Sequence, residues 1–268
     1  MSQALRVAAV SYLNSVPLVW GLVHGPHRER FAVTNMLPSL CADALRSGVA
    51  DAGIIPSIEY QRIEGLQIIP GLSVSSSGPV RSVLLLSKCP LDQIRSVALD
   101  TSSRTSACLV QILMARHYHI APKIVAHAPD LPAMLASCDA AMMIGDPALA
   151  TDFPGLLVRD LADDWREMTG LPFVFAIWAI RSEALLAGQV GLMAAFQESA
   201  AYALAHLEQI VPEEQARTGL APELILNYLT NNIDFSLGDQ NIAGLRRFYQ
   251  LAHELGLTPA SKEISFVS

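Results

Sequence analysis

The chain has 268 residues, 51% of them hydrophobic and 16% charged, with a formal net charge of -7. Such a chain can bury a sizeable core, as one large domain or as two lobes, and without a Lys/Arg run it lacks the basic face that a nucleic-acid partner needs. No apolar run approaches the roughly 18 residues of a membrane span, so no membrane partner is expected.

The opening Met1–Arg6 segment lacks the charged, apolar and small-residue regions of a secretory signal, which points to a cytoplasmic protein. Cys41, Cys89, Cys108 and Cys138 are widely spaced with no CxxC pair and read as reduced thiols. A strand is predicted over Leu5–Val10. It leads into Ser11-Tyr12-Leu13-Asn14-Ser15-Val16-Pro17-Leu18, where Pro17 suits the first turn of a helix. Ligands of open α/β sheets bind beyond the carboxyl ends of the strands. Ser11, Asn14 and Ser15 are therefore candidates for substrate contact, although Asn14 and Ser15 read as readily as helix caps.

Leu37, Leu40, Cys41, Ala44 and Leu45 recur at helical spacing and stop at Gly48. Strands follow over Ala50–Ile55, Leu66–Ile69, Ser82–Ser87 and Ser96–Leu99. Strand alternation aims Arg81 away from Ser82. Thr101-Ser102-Ser103-Arg104-Thr105-Ser106 precedes the helical stripe Cys108, Ile112 and Ala115. Helix-start N–H groups, hydroxyls and an arginine together suit a carboxylate. Ser103, Thr105 and Ser106 are the candidates there, with Arg104 expected toward solvent. Lys123–Ala126 and Ala140–Ile144 are further strands, the second opening into Gly145-Asp146-Pro147-Ala148. Asp146 suits a substrate hydroxyl, and equally a helix cap. Val174–Ile180 is the last strong strand pattern, followed by the amphipathic stripes Met193–Leu207 and Ile242–Leu255.

Apolar runs alternating with helical patterns mark an α/β fold. Breakers beside apolar strands at Lys88–Leu91 and Met168–Pro172 suggest lobes of 1–91 with 174–268, and of 92–173 inserted between them. The ligand cleft would lie between the two, with both Ser82–Ser87 and Val174–Ile180 crossing from lobe to lobe. His117 and His119 face different ways on a helix, and no HExxH, P-loop, GxGxxG or Gly-x-Ser-x-Gly pattern occurs. No metal, nucleotide cofactor or covalent nucleophile is expected.

The segment Ser11 to Leu18 also resembles the amino-terminal signature of the chorismate dehydratases of the futalosine route to menaquinone. The resemblance continues in order through Asp51–Ser57, Gly78–Val83, Asp100–Ser106, Ile144–Leu149 and Leu171–Trp178, over about two thirds of the chain. It implies a two-lobed fold like that of type 2 periplasmic binding proteins, with a helical carboxyl-terminal tail packed on the first lobe. It also implies chorismate as substrate, no cofactor, and active-site roles for Asn14 and Ser82. No strong base stands in these segments, which fits a mechanism where a substrate carboxylate removes the proton. Two alternatives share the fold: dihydroxynaphthoate synthase of the same route, whose family is expected to use a histidine base, and a cytoplasmic small-carboxylate binder without catalysis.

Overall fold

The computed structural model describes residues 4–185, 191–259 and 261–267. The chain first lays down β1 (Leu5–Val10), α1 (Val16–His24), β2 (Phe31–Met36), α2 (Pro38–Ser47), β3 (Ala52–Pro56) and β4 (Leu66–Ser76). A second group comprises β5 (Val83–Ser87), β6 (Ser96–Asp100), α3 (Arg104–Arg116), β7 (Lys123–His127), α4 (Leu131–Ser137), β8 (Ala140–Ile144), α5 (Asp146–Ala150), β9 (Leu157–Asp160) and α6 (Leu161–Thr169). The chain then returns with β10 (Phe173–Arg181), α7 (Ser182–Leu185), α8 (Leu192–Leu204), α9 (Leu207–Thr218), α10 (Pro222–Asn227), β11 (Asp234–Leu237) and α11 (Asp239–Glu254).

Two mixed sheets result, ordered β11-β4-β10-β3-β1-β2 and β7-β6-β8-β5-β9. β10 sits in the middle of the first sheet, antiparallel to β3 and β4. Its run Phe173-Val174-Phe175-Ala176-Ile177-Trp178 is almost wholly buried, as expected of a strand covered on both faces. The tail helices cover this sheet: α8 packs on α1 and β4, and α11 on β10 and β11.

Three predicted features differ from the structure. β4 continues past Ile69, because Pro70 and Gly71 form a bulge rather than an end: Ser73 pairs with Ile177 and Ile68 with Ala179. Gly71 supplies the left-handed φ of 83° there. Neither β5 nor β10 crosses between lobes, since each lies wholly within one sheet. Passage to the second sheet is made by residues 77–82, ahead of the expected 91/92 boundary, and the return is made by α6. Lastly, β11 adds a strand to the tail, where the sequence pattern shows only helices.

The 77–82 crossover is tightly specified. Arg81 adopts a left-handed φ of 63°, unusual for a residue with a side chain. Its N–H donates to Asp160 Oδ2 at 2.6 Å, and the other oxygen of that carboxylate caps α6 through the N–H groups of Ala162 and Asp163. Asp160 therefore fixes the outgoing and the returning connections at one point.

Candidate active site

Between the sheets lies a cleft with about 500 Å³ of empty space, part of it open to solvent. Its walls are largely apolar: Val10, Ile54, Val74, Val83, Ile144 and Phe175. Polar groups enter from two turns, Tyr12, Asn14 and Ser15 from the first sheet and Ser103, Thr105 and Ser106 from the start of α3. Both turns follow the carboxyl ends of strands, β1 and β6, so strand polarity puts them on the cleft.

The hydroxyls divide into those already engaged and those left free. Ser11 Oγ donates to the Met36 carbonyl at 3.3 Å and lines no part of the cleft. Ser15 Oγ shares its proton between the carbonyls of Val10 and Tyr12, at 3.0 and 2.8 Å, tying the end of β1 to the turn. Thr105 Oγ1 accepts the Ile58 N–H at 3.2 Å, a bond from α3 to the first sheet's side of the cleft. Ser103 and Ser106, although buried, have hydroxyls with no hydrogen-bond partner among the described residues. Ser103 is the N-cap and Ser106 stands on the first turn of a 13-residue helix, whose opening N–H groups lack intrahelical acceptors. Free hydroxyls, helix-start N–H groups and an apolar wall are groups whose chemistry suits an anionic group on a hydrophobic ring.

Arg104 does not face solvent as expected. Its guanidinium bridges to Asp43 at 2.9 Å and to Glu59 at 3.0 Å, across the cleft. Glu59 is almost fully buried and also pairs with Arg46 and Arg62. A second bridge forms at Asp146, which does not line the cleft. Its Oδ1 accepts the Leu13 N–H at 2.9 Å and its Oδ2 pairs with Arg217 of α9 at 2.9 Å. Both oxygens are thus used to hold the turn after β8 against the first sheet. Gly145, next to it, has φ 73° and ψ -156°, and a Cβ there would stand 2.9 Å from the Tyr12 ring. Only glycine allows that approach.

Ser82 closes the crossover just before β5. Its carbonyl accepts the Gly145 N–H, and its hydroxyl lies 2.6 Å from the phenol oxygen of Tyr228, both fully buried. Tyr228 opens a π-helical turn, Tyr228–Asn232, after α10. Burial pushes its phenol well up, opposed by the hydrogen bond with Ser82. Tyr12 is also raised, first by burial and then by the nearby carboxylates of Asp100 and Asp146. Both tyrosines therefore stay protonated at neutral pH and act as hydrogen-bond groups. Tyr12, Gly145, Arg217 and Tyr228 carry no expectation from sequence. Tyr12 and Gly145 stand inside recognisable segments, whereas nothing near Arg217 or Tyr228 in the chain marks them.

Two α/β lobes closed on a cleft define the binding-protein-like class. Similar folds occur in a protein of Archaeoglobus fulgidus (TM-score 0.75, 19% identity, 95% of this chain and 98% of that one) and in the alkanesulfonate-binding protein SsuA of Xanthomonas axonopodis pv. citri (TM-score 0.72, 17% identity, 97% and 96%). The chain belongs to the menaquinone biosynthesis family, whose pattern matches residues 5–254. A chorismate dehydratase of Thermus thermophilus is 31% identical to it over 264 residues, covering 92% of this chain and 93% of that protein.

Proposed function

We propose that this protein is a chorismate dehydratase, a hydro-lyase that converts chorismate to 3-[(1-carboxyvinyl)oxy]benzoate in the futalosine route, and that it works in the cytoplasm. The observation that carries the reading is the composition of the cleft. Among the described residues, no histidine, lysine, aspartate or glutamate lines it, while free hydroxyls and helix-start N–H groups face an apolar wall. Such a site binds a carboxylate on a ring but offers no side chain that accepts a proton at neutral pH.

A carboxylate of the substrate then serves as the base. The C3–H bond breaks, its electron pair forms the new ring double bond, and the C4–O bond breaks. The C3 proton leaves with the C4 hydroxyl as water. Ser103 and Ser106, with the start of α3, hold one carboxylate, and Asn14 orients the leaving hydroxyl. Closure excludes bulk water and fixes the base near the proton it removes. The inserted lobe is assigned to the second sheet, residues 83–160, working against the first across the 77–82 crossover and α6.

The absence of a lining histidine disfavours a dihydroxynaphthoate synthase with a histidine base. Incubation of the purified protein with chorismate, followed by mass and ultraviolet absorbance, tests the proposal. Loss of one water with a new aromatic chromophore is expected. Chorismate left intact by folded protein would shift the reading to a binding protein without catalysis.

A further inference from the structure

Tyr12 lines the cleft, yet neither the family resemblance nor the proposed mechanism gives it a role. It stands in the turn after β1, and its ring reaches across to the second sheet to lie on Gly145. A Cβ at Gly145 would be 2.9 Å from the Tyr12 Cδ1 and Cε1 and 3.1 Å from Cζ. The contact thus runs along the ring as far as the carbon that bears the hydroxyl. The backbone behind the ring is fixed: Leu13 N–H donates to Asp146 Oδ1 at 2.9 Å, and the Tyr12 carbonyl accepts from the Ser15 N–H and hydroxyl at 3.1 and 2.8 Å. Gly145 follows β8, and β8 pairs in parallel with β6. The turn that leads from β6 into α3 therefore lies at the same end of the second sheet as Gly145. Tyr12, Gly145, Ser103 and Ser106 accordingly line one cleft.

The half-buried Tyr12 makes no hydrogen bond through its hydroxyl among the described residues. Ser102 Oγ, buried in the turn before α3, has no partner either, so the phenol is not taken up by that hydroxyl. Burial, and then the carboxylates of Asp100 and Asp146, keep the proton on the phenol, which meets the cleft as a neutral donor. A carboxylate seated on Ser103, Ser106 and the first N–H groups of α3 has acceptor sites to spare. We propose that Tyr12 is a substrate-binding residue that donates its phenol proton to this carboxylate, so that one anion is gripped by both lobes. The inference rests on the dehydratase reading and deepens it. An anion that bonds to both lobes at once favours the closed arrangement by the bonds it gains there.

Tyr12→Phe keeps the ring on Gly145 and removes only the hydroxyl. The binding probe is 3-methoxybenzoate, a ring carboxylate with a meta ether and no hydroxyl to lose. Its calorimetric Kd is expected to rise about tenfold or more in Tyr12→Phe, while the melting temperature of the free protein stays unchanged. For chorismate, kcat/KM should fall by a similar factor. In protein isotopically labelled at the tyrosine Cζ carbons, the magnetic resonance signal that Tyr12→Phe removes should shift when the probe is added to the wild type. A Kd that the substitution leaves unchanged, or a Tyr12 signal that the probe does not move, overturns the proposal. Wild-type protein that turns over chorismate, with Tyr12→Phe equally active, also overturns it and keeps the dehydratase reading. Both binding effects in a protein that leaves chorismate intact would instead remove the dehydratase reading and keep Tyr12 as a carboxylate donor.

Discussion

Ser103 and Ser106 differ from Ser15 and Thr105, the other serine and threonine of the lining, in having hydroxyls with no hydrogen-bond partner among the described residues. A ligand carboxylate would supply that partner, and hydrogen bonds to a charged group contribute about 1.5–3 kcal/mol each. Ser103→Ala and Ser106→Ala should each weaken chorismate binding by about tenfold or more, measured calorimetrically, with little effect on the melting temperature. A drop in stability without loss of affinity would assign these serines to the fold. The residues before α3 show how far a sequence reads at this scale. Hydroxyls clustered before a helical stripe locate the turn, but Thr105 and Ser103 look alike in the chain. Only the fold reveals that Thr105 is taken by the Ile58 N–H. Arg104 was equally opaque, because its partners Asp43 and Glu59 are 61 and 45 residues away. Tyr228, 146 residues from Ser82, carries no local signal at all.

Among elements, the strands that the sequence pattern does not reveal are β2, β9 and β11, and each is a sheet edge. An edge strand buries only part of its surface, so it shows neither a continuous apolar run nor clean alternation. β9, Leu157-Val158-Arg159-Asp160, has no buried residue, and β2 has one. The central strands β1, β3, β5, β8 and β10 were all legible, because burial on both faces demands the apolar runs that make them visible. At the junction of elements, Asp160 accepts from the N–H groups of Arg81, Ala162 and Asp163. Asp160→Ala removes a helix cap and leaves the strained Arg81 N–H without an acceptor, a destabilisation of about 1–2 kcal/mol or more. Denaturant unfolding should show that loss, and Asp160→Asn, which can still accept, should recover most of it. Equal effects of the two substitutions would mean that charge, rather than capping, matters at this point.

For the molecule as a whole, the lobes are held together by polar contacts on both sides of the cleft. Arg104 meets Asp43 and Glu59 on one side, while Asp146 meets Leu13 and Arg217 on the other. The Asp43 carboxyl is held below its ordinary value of 3.8, first by the hydrogen bond from Arg104 and also by the positive charges of Arg104 and Arg46. A depressed carboxyl contributes stability that is fully present above its ordinary value and is lost as pH falls through the folded one. Unfolding free energy of the wild type should therefore decline more steeply than that of Asp43→Asn from about pH 5 to about pH 3. Parallel curves would show that the pair contributes nothing in solution. The two-lobed architecture was visible in the order of the sequence segments. The position of the crossover was not, because Lys88–Leu91 and residues 77–82 both contain breakers, and strand pairing alone shows which one leaves the sheet.

The Tyr12 ring against Gly145, and the bridges beside it, have a consequence in time as well as in space. Where the walls of the cleft are joined by their own contacts, those contacts must part before a ligand can pass between them. Its apparent affinity is then the intrinsic affinity scaled down by the fraction of molecules standing open. Each contact that keeps water out during the reaction also delays the arrival of the next substrate and the departure of the last product. If the bridges open and close in each turnover, the contacts that protect the reaction also set its pace.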